Sequence, residues 1–251
     1  MPEVIHFVRH AQGYHNVAIA NHAMHDPALT PLGEKQCRDL RSSFPYMDSV
    51  DLVVASPLRR TLNTALLSFQ PHIEKKGLTV IALPDVQETA DLPCDTGSEP
   101  DILVRDFAGQ PVDFGLVEPG WNIKGYGKYG FTTKQLTARA LRARKWLYAR
   151  PEKEIIVVTH GGFLHHLTQD WSDRTRFRDT GWANTEFRSF RFKEAPGDDF
   201  PLVETQVSKY LRAGTEQPLT TQERVELKLT EKKDAEVKEV REEQMVAKSA
   251  L

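Results

Sequence analysis

Val4-Ile5-His6-Phe7-Val8-Arg9-His10-Ala11-Gln12-Gly13-Tyr14-His15-Asn16 is the stretch whose reading decides the fold. It begins apolar and β-branched, reaches Arg9-His10, and then meets glycine. Such a run reads as a buried strand that hands two basic side chains to a loop at its carboxyl end. In open α/β sheets that end is where ligands bind. Far along the chain, Ile155-Ile156-Val157-Val158-Thr159-His160-Gly161-Gly162 repeats the design, with His160 leading into two glycines that open a helix. A polar pair at one strand end has a bland reading as partly exposed charge; two such units together argue for a shared site.

The chemistry open to the pair follows from the side chains. A neutral imidazole is a competent nucleophile near pH 7 when one ring nitrogen is held as a donor and the other presents its lone pair. The neighbouring guanidinium, always charged and shaped as a fork, suits a tetrahedral oxyanion such as phosphate. Arg9 and His10 together point to phosphoryl transfer through a phosphohistidine.

Composition narrows the alternatives. The 251 residues are enough for a substantial core, and 39% hydrophobic with 27% charged residues is ordinary for a soluble globular protein. A formal net charge of −2 lends nothing to nucleic-acid binding. No apolar run approaches the roughly 20 residues a membrane helix needs. Cys37 and Cys94 make neither a disulfide framework nor a metal-type spacing. With a strand expected within a few residues of Met1, no signal peptide is expected, and the expected location is cytoplasmic.

Further along, Thr30 and Pro31 read as the N-cap and first residue of a helix that covers the sheet, with Cys37 inside the core. His15, His22 and His25 read as solvated loop histidines. Asp51 to Ser56 reads as a second buried strand, and Arg59 and Arg60 fall in the first turn of the helix after it. Cations there oppose the helix dipole, so an anion held between them and the helix end would resolve the conflict. Arg59 joins the phosphate-binding set on this ground, with surface exposure as its alternative. Leu78 to Leu83 reads as a third strand, after which Glu88 is a candidate proton donor; spacing alone does not separate it from Asp85, Asp91 or Asp95.

From about Leu92 to Phe131 the pattern weakens: a turn-like piece, a short helix expected near Asp101 to Phe107, and a glycine-dotted stretch with Trp121, Tyr126, Tyr129 and Phe131, read either as a lid over the substrate pocket or as a structural Ω-loop. A long helix is expected around Leu136, Ala140, Ala143 and Leu147. His165 and His166 read as helix-surface or packing histidines, and Arg188 and Arg191 as exposed strand charges. Two late strands, Asn184 to Lys193 and Leu202 to Lys209, joined by a turn around Pro196, should form an edge hairpin. The expected division is a domain over 1–215, with the lid at about 92–131, and a charged tail over 216–251. That tail opens with a capping box, Thr220-Thr221-Gln222-Glu223, and reads as a solvated helix or a disordered end.

Taken together, Arg9-His10-Ala11-Gln12, Asn16, Ser56-Pro57-Leu58-Arg59-Arg60 through Thr64-Ala65, Gln87-Glu88 and Thr159-His160-Gly161-Gly162 resemble the histidine phosphatase superfamily, in the branch related to cofactor-dependent phosphoglycerate mutase. The resemblance spans roughly residues 1–210 and rests on four separated motifs in order. It implies an α/β fold, a three-layer α/β/α sandwich with a mostly parallel central sheet. By the same resemblance His10 is the phosphorylated nucleophile and Arg9, Arg60 and His160 hold the phosphate oxygens. Asn16 would add a donor, and Glu88 would protonate the leaving oxygen and then activate water, with no metal and no cofactor.

Two departures stand out. Ala11 replaces the usual glycine after the catalytic His, which negative φ would tolerate, with Gly13 relieving the turn instead. The middle region carries Pro93-Cys94-Asp95-Thr96-Gly97-Ser98 in place of the mutase sequence, which looks closer to fungal and plant phosphatase-like members. The expectation is therefore a phosphomonoesterase acting on a small phosphate ester. A mutase needing a bisphosphorylated primer, or a protein that binds phosphorylated ligands without turnover, are the alternatives.

Overall fold

Alternate side chains of neighbouring strands enter two separate cores, and this divides the molecule into layers. In the computed structural model, which describes residues 1–125, 127–169, 181–195, 197–215 and 217–249, strands β1 (Val4–Arg9), β2 (Leu52–Ala55) and β5 (Glu154–Thr159) are buried on both faces. Val8, Val53, Ala55, Ile156 and Val158 pack on one side, with α1 (Pro31–Ser43) and α2 (Arg59–Lys76). Ile5, Phe7, Val54, Ile155 and Val157 pack on the other, with α4 (Thr133–Tyr148) and α5 (Gly161–Thr168). A slip of one residue in any of these strands would exchange its two faces, so the register is firmly set.

Strands β3 (Val80–Ala82) and β4 (Val112–Asp113) extend the parallel part of the sheet, and β6 (Phe187–Phe192) and β7 (Leu202–Glu204) add an antiparallel edge. The order is β4-β3-β2-β5-β1-β6-β7. This is the three-layer α/β/α sandwich with a late edge hairpin. The caps expected from sequence form as well: Thr30 Oγ1 accepts from Gly33 N at 3.0 Å, with Pro31 at the first helical position. Among the described residues no helix is long and apolar enough to cross a membrane.

Three local expectations change. The second late strand stops at Glu204, because Thr205 caps a short helix, α6 (Gln206–Arg212), by accepting from Ser208 N. In the stretch 92–131 the short helix forms where it is expected, as α3 (Pro100–Asp106), but Trp121 is buried in the core with its Nε1 donating to Ser98 O at 3.1 Å. The buried Lys124 ammonium donates to the carbonyls of Glu88 and Ala90 at 2.9 and 3.0 Å and to that of Asp95. The C-terminal helix α7 (Thr221–Ser249) is charged as expected, but it is not solvated throughout: Gln222, Glu223, Glu226 and Thr230 are buried, and Asp234 caps α4 by accepting from Thr133 N and Oγ1. Tyr126 of the aromatic stretch, Pro196 of the expected turn, and residues 216, 250 and 251 of the tail lie outside the described residues.

Candidate active site

Parallel pairing brings the two strand-His units together. Strand β5 lies between β2 and β1, and its register with β1 sets Arg9 opposite Thr159. One residue further, His10 N donates to Thr159 O at 2.9 Å, and the rings of His10 and His160 stand 5.1 Å apart between centroids. The carboxyl end of β2 adds Ser56, whose Oγ is 2.9 Å from His160 Nε2.

The first turn of α2 delivers Arg60, fully buried, as a three-way clamp. Its Nε donates to His10 Nε2 at 3.2 Å, Nη1 to Cys94 O at 2.5 Å, and Nη2 to Asp95 Oδ1 at 3.0 Å. With His10 Nδ1 2.7 Å from Ala11 O, the ring is set as the tautomer that protonates Nδ1 and keeps a lone pair on Nε2, which accepts from Arg60 Nε and must exchange that donor for an electrophile to react. Burial first, and then the charges of Arg60 and Arg9, hold the His10 imidazole well below its ordinary range, which keeps it neutral. Burial and the Arg60 charge do the same for His160.

Of the four carboxyls, Glu88 and Asp95 lie at this cluster, and Glu88 is the one without a cationic partner of its own. Asp85 pairs with Arg142 at 2.8 Å, Asp91 is exposed, and Asp95 is spent on Arg60. Glu88 Oε1 accepts from Thr89 N at 2.9 Å and from Phe163 N, in the first turn of α5, at 3.0 Å. Burial, followed by the charge of Asp95, pushes its carboxyl up to about 7, against the pull of Arg60. A carboxyl poised there can give a proton and take one back near neutral pH.

Arg9 donates through Nη1 to Trp182 O, while its buried Nε has no partner. Asn16 lines the adjoining cavity, but its side chain is engaged: Oδ1 accepts from Gly13 N at 3.0 Å and Nδ2 donates to Gln222 Oε1 at 2.5 Å. Arg59 is not brought to the cluster. It is 32% exposed and faces outward to Asp106 at 2.5 Å and Asp26 at 3.5 Å. Consecutive helical residues point about 100° apart, so of two adjacent arginines one turns away. The conflict with the helix dipole is therefore answered by protein carboxylates, Asp95 for Arg60 and the Asp26–Asp106 pair for Arg59.

Several site residues lay outside the sequence reading. His15 is buried, not solvated; its ring is 5.4 Å from that of His10, and neither ring nitrogen has a partner. Gly13 is needed for this approach and not for a turn: its φ is −96°, and a β-carbon there would lie 2.7 Å from His15 Nδ1. From α7, Glu223 accepts from Trp182 N at 3.2 Å, stands 3.4 Å from His165 Nε2, and forms the foreseen capping box with Thr220. Burial would raise the Glu223 carboxyl, but His165 and the Arg9 charge outweigh it and bring it to about 2. A cavity of about 570 Å³ adjoins the cluster, lined by Arg9, Gln12, His15, Asn16, His22 and the start of α7 among others. No residue of the 92–131 stretch lines it.

Two histidines and a buried arginine thus meet at the carboxyl edge of a doubly covered, mostly parallel sheet, which defines an α/β protein with a buried histidine cluster. The family model for the histidine phosphatase superfamily (branch 1) matches residues 5–198. The chain belongs to that superfamily. A phosphoglycerate mutase-like protein of Arabidopsis thaliana is 30% identical over 200 residues, covering 66% of this chain and 73% of the relative. A probable phosphatase of Schizosaccharomyces pombe is 33% identical over 162 residues, covering 63% and 74%. A putative alpha-ribazole-5'-P phosphatase of Escherichia coli has the same fold, with a TM-score of 0.51 at 18% identity over 80% of this chain and 94% of that one.

Proposed function

We propose that the protein is a phosphomonoesterase that hydrolyses a small phosphorylated metabolite through a phosphohistidine at His10. The observation that carries this reading is the set of buried, unpartnered nitrogens converging around His10: Arg9 Nε, His160 Nδ1 and both nitrogens of His15. Buried polar groups are almost always bonded, and such a cluster fits groups held ready for an anion.

In the first step His10 Nε2 attacks phosphorus and the ester P–O bond breaks. The departing oxygen keeps the electron pair and takes the proton of the Glu88 carboxyl. In the second step water attacks the phosphoryl group, the P–N bond breaks, and Glu88, now a carboxylate, takes the proton that water loses. Arg9, Arg60 and His160 hold the phosphoryl oxygens, which is the work phosphoryl transfer asks of a protein. The scheme calls on no metal and no cofactor. Asn16 bears on the substrate through the cavity wall it builds with Gln222, and Arg59 has no part.

The cavity walls mix polar side chains such as Arg9, His15 and Asn16 with the apolar Val17, Ala18 and Ile19, which suits a leaving group with both polar and apolar parts. Two free, buried cysteines suit a reducing, cytoplasmic location. Release of inorganic phosphate from a panel of sugar, nucleotide and aryl phosphates tests the reading. The wild-type chain should release phosphate without any bisphosphorylated primer, and His10→Ala should not. Turnover of phosphoglycerate only with the primer, and without phosphate release, would replace hydrolysis by mutase activity.

A further inference from the structure

The C-terminal helix brings a second carboxyl to the acid of the reaction. Glu226, on the buried face of α7, is nearly inaccessible, and neither carboxylate oxygen makes a hydrogen bond of normal geometry. Its position is fixed by crowding at the start of α5: a β-carbon added at Gly162 would lie 2.2 Å from Glu226 Oε2, 2.9 Å from Glu88 Oε1 and 3.1 Å from Thr89 Oγ1. The two carboxyls thus converge on one point at a helix N-terminus. That terminus gives the N–H of Phe163 to Glu88, whereas neither Glu226 oxygen accepts a bond from it. Of the two carboxyls that meet there, one is held by backbone donors and the other is not.

We infer that Glu88 and Glu226 act as a pair that retains one proton, and that Glu226 is the positioning residue which helps keep that proton on the Glu88 acid. This rests on the assignment of Glu88 as proton donor. Two carboxyls this close oppose each other's ionisation, so protons leave the pair in two steps that belong to both groups. Whichever ionises first, its charge raises the other. When Glu88 gives its proton to the departing ester oxygen, the balance is one proton lost from the pair and one gained by the alcohol. Water restores that proton in the second step.

The other charges around the pair do not remove the effect. Glu226 faces Glu88, the Asp95 carboxylate and Cys94 from the core, and Glu223 from its own helix; Gln222, one turn back, is a partial counterweight. Burial, followed by Glu88 and Asp95, moves the Glu226 carboxyl well above its ordinary range. On the cationic side, Arg60 and Lys124 face Glu88, whose charge is also felt by Arg139 of α4. Arg60 is already paired with Asp95, and the Lys124 ammonium is committed to three carbonyls.

The test is the pH dependence of kcat/KM for full-length Glu226→Gln with two probes, glycerol phosphate and p-nitrophenyl phosphate. The alkoxide leaving group needs a proton in the transition state, whereas nitrophenolate leaves with little help. The basic limb should move down by about one pH unit or more with glycerol phosphate, and by less with p-nitrophenyl phosphate. Glu226→Asp, which keeps a carboxyl, should restore most of the limb. Carboxyl 13C resonances of the unsubstituted chain read the coupling without altering Glu226 and should show a two-step titration with one step above neutral pH. An unmoved basic limb, or activity that rises at every pH because the helix merely plugs the site, would overturn the inference, as would two independent titrations near 4.5. His10→Ala with the same probes separates the two failures: if it stays active, the underlying reading falls as well.

Discussion

At Arg60 one buried guanidinium is shared between His10 Nε2 and Asp95 Oδ1, while Arg59, one position earlier, faces the buried Asp26 and the part-exposed Asp106. Arg60→Ala would strand the Asp95 carboxylate without its partner, and breaking a buried pair costs about 3–5 kcal/mol. Urea denaturation should show a loss of that size for Arg60→Ala and a smaller one for Arg59→Ala, because the Asp26 carboxylate keeps its bonds from Arg59 N, Ser98 N and Ser98 Oγ and Asp106 keeps contact with water. Ionisation gives a second prediction. The Glu88 carboxyl is raised to about 7, so its contribution to stability is full below pH 4.5 and is lost as pH rises through about 7. Glu88→Gln should therefore gain stability relative to the unsubstituted chain across that window, by up to about 3 kcal/mol, while losing turnover. His10 and His160 have the opposite sign: held neutral in the fold, they favour the folded chain above pH 6.5 and cost stability as pH falls, when the unfolded chain takes up protons they refuse. Their imidazole resonances should not titrate at pH 6.5; ordinary titration there would contradict the burial that sets them.

The elements differ in how openly their sequences state their place. Strands β1 and β5 announce themselves because an apolar run ending in His is visible at both sites, and parallel register then sets the two rings side by side. Helix α7 hides its place. Its buried face is Gln222, Glu223, Glu226 and Thr230, polar side chains at helical spacing, so a reading that looks for apolar periodicity sees only a solvated face. The capping box was the one local sign, and it marked where the helix starts without saying what it covers. The 92–131 stretch hides its anchor for a related reason: what ties it down is Lys124, whose ammonium binds three carbonyls, and a lysine in a glycine-dotted stretch carries no pattern. Lys124→Met should cost about 1–3 kcal/mol for each carbonyl left unbonded, measured by urea denaturation. Glu223→Ala removes the cap and the partner of Trp182 N and should lower the thermal midpoint. An unchanged midpoint would mean that α7 adds nothing to the fold.

Across the whole molecule, strand ends from both halves of the chain, one helix start and the first turns of α7 enclose a cluster that the adjoining cavity reaches from the side of Arg9 and His15. His10, Arg60 and His160 have no exposed surface, and Thr220–Gln222 at the start of α7 stand in the wall of the cavity beside them. Hydrogen exchange of the amides at 220–226 should slow when orthovanadate, a tetrahedral oxyanion, is bound. Exchange that does not respond would place the entrance elsewhere. The central claim, that two imidazoles from distant parts of the chain serve one phosphoryl group, is tested most directly by trapping that group on the protein. Turnover of a 32P-labelled phosphate ester, stopped with detergent at alkaline pH, should leave label on His10 that mild acid releases and that His10→Ala lacks. Steady phosphate release with no label on His10, or label that survives His10→Ala, would contradict it.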